Sequence, residues 1–278
     1  MHAQPLVNHA EKAAAFRALH QREGAFIIPN PWDIGSARLL ATLGFEALAT
    51  TSVGYAFSMG RRDHGVSRDE MLAHAATLAG ATSLPVSADL ENGFGDDPET
   101  VAETIHLAAA AGLAGCSIED SPNRSGDAIY TLPHSVERIQ AAVEAARTLT
   151  VPFTLTARSE NFLHDRPDLD DTIARLQAYQ AAGADVLYAP GLVTMDDIAM
   201  LVRAVDRPVN VLAGLQGVRF DLAELSAVGV KRVSVGGALS RVALAAFLRA
   251  AREMREHGTF GFVDEPISSR EIAGMFDA

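Results

Sequence analysis

Eight short apolar runs punctuate the chain, and each ends in a polar, charged or glycine residue. They cover residues 26–29, 46–50, 85–90, 115–119, 152–158, 184–189, 208–212 and 231–235. Runs of this length bounded by turn residues read as buried parallel strands. Between them, apolar positions recur at helical spacing with legible starts and stops. Residues 9–22 form an Ala-rich helix with Phe16 and Leu19 on one side. Ser67 and Glu70 make a capping box ahead of Met71 and Leu72. Asp97-Pro98 sets an N-cap and a first-turn proline before 99–111. Ser135 is expected to open 136–148, Asp168 to open 169–182 and Thr194 to open 195–204, while Asp221 and Glu224 start a short helix before Gly229. Gly44, Gly112, Gly183 and Gly229 stand where helix ends favour glycine.

Strands alternating with helices, without a break in composition, predict an α/β fold: a single-domain (β/α)8 TIM barrel over residues 1–258, N-terminal helix included. A doubly wound sheet would show a Gly-rich dinucleotide turn after the first strand, and Pro29-Asn30-Pro31-Trp32-Asp33 is not one. Residues 259–278 read as a C-terminal linker and a short helix capped by Ser268 and Glu271, with Ile272, Met275 and Phe276 apolar. Such a helix needs a surface to cover, either a partner subunit's barrel by exchange or its own.

Charge narrows the function classes. Lys and Arg number 23 against 35 Asp and Glu, a net charge of −12 with no basic run, which argues against nucleic acid or an anionic membrane surface as partner. No uninterrupted apolar stretch is long enough to span a membrane, and residues 1–8 lack the pattern of a secretion signal. Cys116 is the only cysteine, so no internal disulfide or cysteine-based zinc cluster forms, as expected of a cytoplasmic protein. Within its apolar run it reads as a small buried residue.

In a barrel, chemistry gathers at the C-terminal ends of the strands. Those ends carry Asn30, Thr50 to Ser52, Asp89 and Glu91, Glu119 and Asp120, Arg158 and Glu160, Tyr188, Asn210, and Gly236-Gly237. Side-chain alternation along a strand puts Asp89 and Glu91 on one face. With Glu119 from the next strand they can face one hard cation, waters and substrate completing its shell, which is the pattern of Mg²⁺, with Mn²⁺ the alternative. The competing reading is a turn cap at Asp89 and a solvated Glu91. No His pair stands at metal spacing, which argues against zinc, and His64, His134 and His164 read as surface or gating residues in loops. Arg158 suits a clamp for a substrate carboxylate or phosphonate; an ion pair with Glu119 or Glu160 is the other reading. The N–H groups after Thr51 could cradle an oxyanion, or the segment is a plain loop. Asn210 interrupts an apolar run and needs partners, which a pocket offers. Asp63 reads as a further acid near the metal or as a turn residue.

Six motifs in order, Asn30-Pro31-Trp32-Asp33-Ile34-Gly35, Thr50-Thr51-Ser52-Val53-Gly54, Ala88-Asp89-Leu90-Glu91-Asn92-Gly93, Ser117-Ile118-Glu119-Asp120, Thr156-Ala157-Arg158 and Pro208-Val209-Asn210-Val211, resemble the isocitrate lyase/phosphoenolpyruvate mutase superfamily. The resemblance spans about residues 30–240. It implies a (β/α)8 barrel, a dimer or tetramer that exchanges C-terminal helices, and Mg²⁺-dependent chemistry on a C–C or C–P bond beside a carboxylate, through an enolate of pyruvate type. By motif, Asp89, Glu91 and Glu119 would hold Mg²⁺, with Asp63 in the same shell. Ser52 and its neighbours Thr51, Val53 and Gly54 would bind the keto or enolate oxygen, and Arg158 and Asn210 a substrate carboxylate. Trp32 and Asp33, from the first motif, are assigned to the substrate site.

The departures are as informative. Lyases of the superfamily carry a Lys-x-Cys-Gly-His type loop after strand four, whereas residues 120–127 here contain no Cys, Lys or His. Of the mutase-type Lys and Asn only Asn123 remains, and it joins Ser52, Asp63 and Arg158 as a catalytic candidate. An Asp-x-Glu pair replaces two aspartates, and no Glu follows strand six at Tyr188-Ala189-Pro190-Gly191. The expectation is a Mg²⁺-dependent C–C lyase acting on a small 2-keto or 2-hydroxy carboxylic acid through a metal-bound enolate. Decarboxylation of an oxaloacetate-like acid fits best, since it needs no lyase Cys, with Asn123 and Arg124 closing over the substrate. The alternatives are a phosphonopyruvate-type mutase or hydrolase and a non-catalytic metabolite-binding barrel. The expected partners are a small anionic carboxylic acid and further copies of the chain, as a homodimer or homotetramer.

Overall fold

The computed structural model describes residues 8–124, 126, 128–264 and 267–276. Residues 1–7, Ser125 and Asp127 in the loop after the fourth run, Glu265-Pro266 in the linker, and residues 277–278 lie outside the described residues. Every apolar run becomes a strand: β1 (Phe26–Ile28), β2 (Leu48–Ala49), β3 (Val86–Asp89), β4 (Gly115–Glu119), β5 (Thr154–Arg158), β6 (Val186–Tyr188), β7 (Val209–Leu212) and β8 (Arg232–Ser234). All ladders are parallel, and the strands follow one another round the sheet as β1-β8-β7-β6-β5-β4-β3-β2. The remaining gap is bridged where Ala49 N–H donates to the Pro29 carbonyl at 3.1 Å and the Asn30 side chain donates to the Thr50 carbonyl at 2.9 Å. The result is a nearly closed eight-stranded barrel, as the strand–helix alternation predicts.

The helices are α1 (His9–Gln21), α2 (Ile34–Thr42), α3 (Ser52–Ser58), α4 (Arg68–Ala81), α5 (Pro98–Ala110) and α6 (Leu132–Arg147), then α7 (Leu169–Ala182), α8 (Met195–Ala204), α9 (Leu222–Ala227), α10 (Ala238–His257) and α11 (Ser269–Phe276). Ser67 and Glu70 form the reciprocal capping box, and Asp168, Thr194 and Asp221 each accept from a first-turn N–H. Two expectations need correction. Helix α6 starts at Leu132 and not after Ser135, because Pro133 in its first turn presets helical φ and needs no N–H partner. Residues 51–54 are no loop: Thr51 caps α3, its Oγ1 accepting from Gly54 N–H at 3.2 Å.

The main apolar cluster, with Leu48, Ile105, Ile118, Leu155 and Leu187, packs strands against the surrounding helices. The barrel interior differs from the branched apolar layers usual in this fold. Ser87, Thr156, Asn210, Arg232 and Ser234 are all buried there. Below, α1 seals the barrel, Phe16 and Leu19 packing with Phe26, Ile28, Ala47 and Ala114. Helix α10 stands apart, since Ser240 is its only buried residue and Val242, Phe247, Leu248 and Met254 are exposed. Helix α11 lies on α2: Arg38 donates to the Phe276 carbonyl at 2.6 Å and Thr42 to the Met275 carbonyl at 2.9 Å. Among the described residues no helix is long and apolar enough to cross a membrane.

Candidate active site

Strand register builds the site. Glu119 pairs with Arg158, Arg158 with Tyr188, Tyr188 with Asn210, and Asn210 with Arg232. Residues in register present their side chains to the same face, so this rung of polar and aromatic groups runs round the interior. A cavity of about 250 Å³ is lined by Arg158, Tyr188, Asn210 and Arg232 from the rung and by Ser52, Asp63, Asp89 and Arg241.

Arg158 is the hub. It binds Glu160 through Nε and, at 3.2 Å, through Nη2, while Nη1 lies 3.2 Å from Glu119 and 3.5 Å from Asp89. Its guanidinium also stands 5.2 Å from the Tyr188 ring centre. The ion-pair arrangement of Arg158 is therefore present, and Arg158 still lines the cavity. Burial pushes the Glu119 carboxyl above its ordinary range; Arg158 opposes that rise, and Glu160 and Asp89 add to it. Asp89 accepts from Ser52 Oγ at 2.9 Å, and its own N–H is held by Thr50 Oγ1 at 2.9 Å.

Glu91 does not share a strand face with Asp89. Strand β3 ends at Asp89, and Glu91 takes φ +50°, a left-handed conformation that strains a residue with a side chain. The turn aims Glu91 at His64, whose Nδ1 lies 3.2 Å from Glu91 Oε2 and whose Nε2 lies 3.8 Å from Asp63 Oδ2. The three acids assigned to one ion thus divide: Asp89 and Glu119 gather on Arg158, and Glu91 joins Asp63 and His64. Ligand atoms of Asp63, His64 and Glu91 all lie within 4.8 Å of one another and could hold a metal ion. The hydrogen bond to Glu91 raises the His64 pKa to about 9. Among the described residues Glu91 Oε1 is buried with no hydrogen-bond partner. That orphaned carboxylate oxygen, with Asp63 and Asp89 acting on the same carboxylate, is the kind of donor that a hard divalent cation takes.

Two loops frame these acids. Arg138, 1% exposed, holds the turn after β3 by donating to the carbonyls of Gly95 and Asp96, each at 2.7 Å, and of Asn92. After β4, Asn123 Nδ2 donates to Glu119 Oε1 at 2.6 Å, while Arg124 reaches away to Asp96 Oδ2 at 2.5 Å. Thr51, Ser52 and Val53 line the cavity at the start of α3. The Gly54 N–H is engaged by the Thr51 cap, and a Cβ at Gly54 would lie 3.1 Å from Trp32 Cβ. Trp32 and Asp33 are absent from the cavity wall; Asp33 caps α2, accepting from Ser36 N–H at 2.6 Å. Asn210 Oδ1 accepts from Arg232 Nε at 2.9 Å, and Nδ2 donates to Ser234 Oγ at 3.0 Å. Cys116 is buried in apolar packing that pushes its thiol pKa up, so it supplies no reactive acid. Sequence reasoning missed Arg138, Arg232 and the placing of His64 among the acids.

Residues 16–255 match the model of the phosphoenolpyruvate phosphomutase family. The chain belongs to that family. It is an enzyme of the isocitrate lyase/phosphoenolpyruvate mutase superfamily, with lyase or mutase activity. It is 28% identical over 260 residues to an oxaloacetate decarboxylase of Pseudomonas savastanoi pv. phaseolicola, covering 91% of this chain and 88% of the relative. It is 32% identical over 204 residues to a 2-methylisocitrate lyase of Escherichia coli, covering 70% of this chain and 67% of the relative. A crystal structure of a provisionally assigned lyase/mutase from Burkholderia cenocepacia superposes with a TM-score of 0.95 at 65% identity, covering 97% of this chain and 98% of that one. In this member of the phosphomutase family, Asp89, Glu119 and Arg158 end their strands and Asn210 stands inside β7, while Asn123 of the loop after β4 hydrogen-bonds to Glu119.

Proposed function

We propose that the chain is a Mg²⁺-dependent carbon–carbon lyase acting on a small 2-keto or 2-hydroxy carboxylic acid, with decarboxylation of an oxaloacetate-like acid as the best-fitting reaction. The observation that carries this reading is the convergence of Asp89, Glu119 and Glu160 on Arg158 at a small cavity. Asp89, Glu91 and Glu119, with Asp63 beside them, would hold Mg²⁺; Mn²⁺ would use the same donors. Bound there, the ion supplies a Lewis acid that draws negative charge onto a substrate oxygen.

The chain's own residues do the positioning. Arg158 Nη1, now 3.5 Å from Asp89 and 3.2 Å from Glu119, would be free for a substrate carboxylate if those two acids held the ion. Arg158 keeps its orientation through Glu160, whose N–H is fixed by Asp120 Oδ1 at 2.8 Å. Ser52, in the first turn of α3, points its N–H and Oγ at Asp89 Oδ2, at 3.4 and 2.9 Å, and would turn them to the substrate oxygen where charge develops once Asp89 engages the ion. In the decarboxylation the bond from C3 to its carboxylate breaks, CO2 leaves without a proton, and the bonding electrons pass into an enolate of pyruvate that takes a proton at C3. That route requires no acid for the leaving group, in keeping with residues 120–127, which hold no Cys, Lys or His. The single cysteine agrees with a reducing cytoplasm.

A phosphonopyruvate-type mutase is the second reading, favoured by the family match and by Asn123 on Glu119. One assay separates the two. Oxaloacetate, phosphonopyruvate and alkyl-malates are offered with and without Mg²⁺, pyruvate and phosphate are followed, and Asp89→Ala is the control. Pyruvate release from oxaloacetate that needs both Mg²⁺ and Asp89 is expected. Full activity in excess chelator would sink the metal requirement, and phosphoenolpyruvate formed from phosphonopyruvate would select the mutase.

A further inference from the structure

Arg232 is a buried guanidinium whose partners are all neutral. It is 5% exposed on β8. Its Nε donates to Asn210 Oδ1 at 2.9 Å, Nη2 to Thr156 Oγ1 at 3.0 Å, and Nη1 lies 3.4 Å from His20 Nε2. Each partner is turned to receive it. Arg can only donate, so the Asn210 amide must present its oxygen. His20 Nδ1 lies 2.9 Å from the Phe16 carbonyl, so Nδ1 carries the hydrogen and Nε2 faces Arg232 as an acceptor. A guanidinium has five N–H groups, and these contacts leave one on each Nη uncommitted. Among the described residues no carboxylate is within ion-pair distance of Arg232, unlike Arg158, which has three.

Burying a charge without a counter-charge is unfavourable, and here the charge lines the cavity shared with Asp89, Ser52 and Arg158. Strands β6 and β7 separate Arg158 on β5 from Arg232 on β8, so the two guanidinium groups approach the cavity from different sides. We propose that Arg232 anchors a second anionic group of the substrate, a carboxylate or similar oxyanion, and so selects a diacid over the monoacid with the same head. The inference rests on the reading above, in which the acids and Arg158 take the 2-keto or 2-hydroxy acid head; in oxaloacetate the second carboxylate is the one lost as CO2, so Arg232 would select it on binding and give up the contact as the bond breaks.

Lactate and malate test it, because they share a 2-hydroxy acid head and differ in the far carboxylate. Isothermal titration in Mg²⁺ is expected to show malate bound about tenfold or more tighter than lactate, the scale of one charge-assisted hydrogen bond. Arg232→Gln should abolish that preference and Arg232→Lys should restore part of it. A preference unchanged in Arg232→Gln, or absent from the wild-type enzyme, overturns the proposal, as does equal weakening of both acids by both variants. Should neither variant fold, a malate-bound crystal structure of the wild-type enzyme decides: the far carboxylate on Arg232 supports the proposal, and any other seat for it overturns it. Repeating the titrations in chelator with Asp89→Ala separates the two readings. A malate preference that survives there leaves Arg232 as the anchor even if the metal-dependent lyase reading fails.

Discussion

His20 sits beneath the barrel, 7% exposed, edge-on to Phe16 and Phe26, with Arg232 on its other ring nitrogen. Burial is the largest influence on its titration and the Arg232 charge the next, and together they lower its pKa from 6.5 to about 3. Burial likewise lowers His74, stacked 3.7 Å from Tyr55, to about 4. A histidine whose folded pKa lies below its unfolded one takes up a proton on unfolding. Stability from such a group is fully present above pH 6.5 and falls as pH drops toward the folded value. Each proton taken up gives a slope of about 1.4 kcal/mol per pH unit. Glu119, raised by burial, pulls the other way over part of this range, so the informative quantity is a difference between proteins. Urea unfolding at pH 5 and pH 6.5 is expected to show a weaker pH dependence in His20→Gln than in the wild type, by about one proton's slope. Parallel slopes would show that His20 titrates normally.

Helix ends are where local chemistry decides the fold most plainly. Gly183 closes α7 at φ +110°, and a Cβ there would lie 2.9 Å from Val143 Cγ1 and 3.0 Å from Arg147 Nη2. Gly183→Ala is expected to lose about 1–2 kcal/mol from the left-handed backbone alone, and to lower Tm by several degrees. Gly80→Ala is the control: nothing lies within 4 Å of a Cβ there and α4 is already helical, so Tm should hold or rise. Equal melting of Gly183→Ala and wild type would refute the cap. Such joins, like the strand runs and the Ser67 box, were legible because their causes lie within a few residues. Helix α3 was hidden because Val53 and Gly54 have weak helical preference and only the Thr51 cap announces it. In the site, Asp89, Glu119 and Arg158 were legible as polar strand ends and Asn210 as a polar break in an apolar run. The direction of Glu91 was not, because alternation stops where the strand stops. Arg232 was not either: it lies in the eighth apolar run without a mark of its own, and only its register with Asn210 turns it inward. Arg138 acts across 42 to 46 residues on carbonyls of another loop, a contact no local pattern encodes.

For the whole molecule, α10 poses the open question of what covers it. The barrel's last helix would ordinarily lay its apolar side on its own strands, yet Val242 is 68% and Phe247 65% exposed, and Phe260 and Val263 beyond it are 62% and 59% exposed. Contiguous exposed apolar groups on one element mark an interaction surface. Helix α11 is already seated on α2 of its own chain, so α10 is the uncovered element. We propose that a second copy of the chain covers it, giving a homodimer or homotetramer. Light scattering at micromolar concentration should then return a multiple of 29.4 kDa, and a monomer would end the proposal. Val242→Asp with Phe247→Asp should split the assembly. The split should also reach the chemistry, because Arg241 lies beside Val242 at the start of α10 and lines the active-site cavity. A helix no longer pinned by a neighbour holds Arg241 less firmly at the mouth, so kcat/KM is expected to fall in the monomeric variant even with the acids and Arg158 intact. Full activity in a variant shown to be monomeric would separate assembly from catalysis.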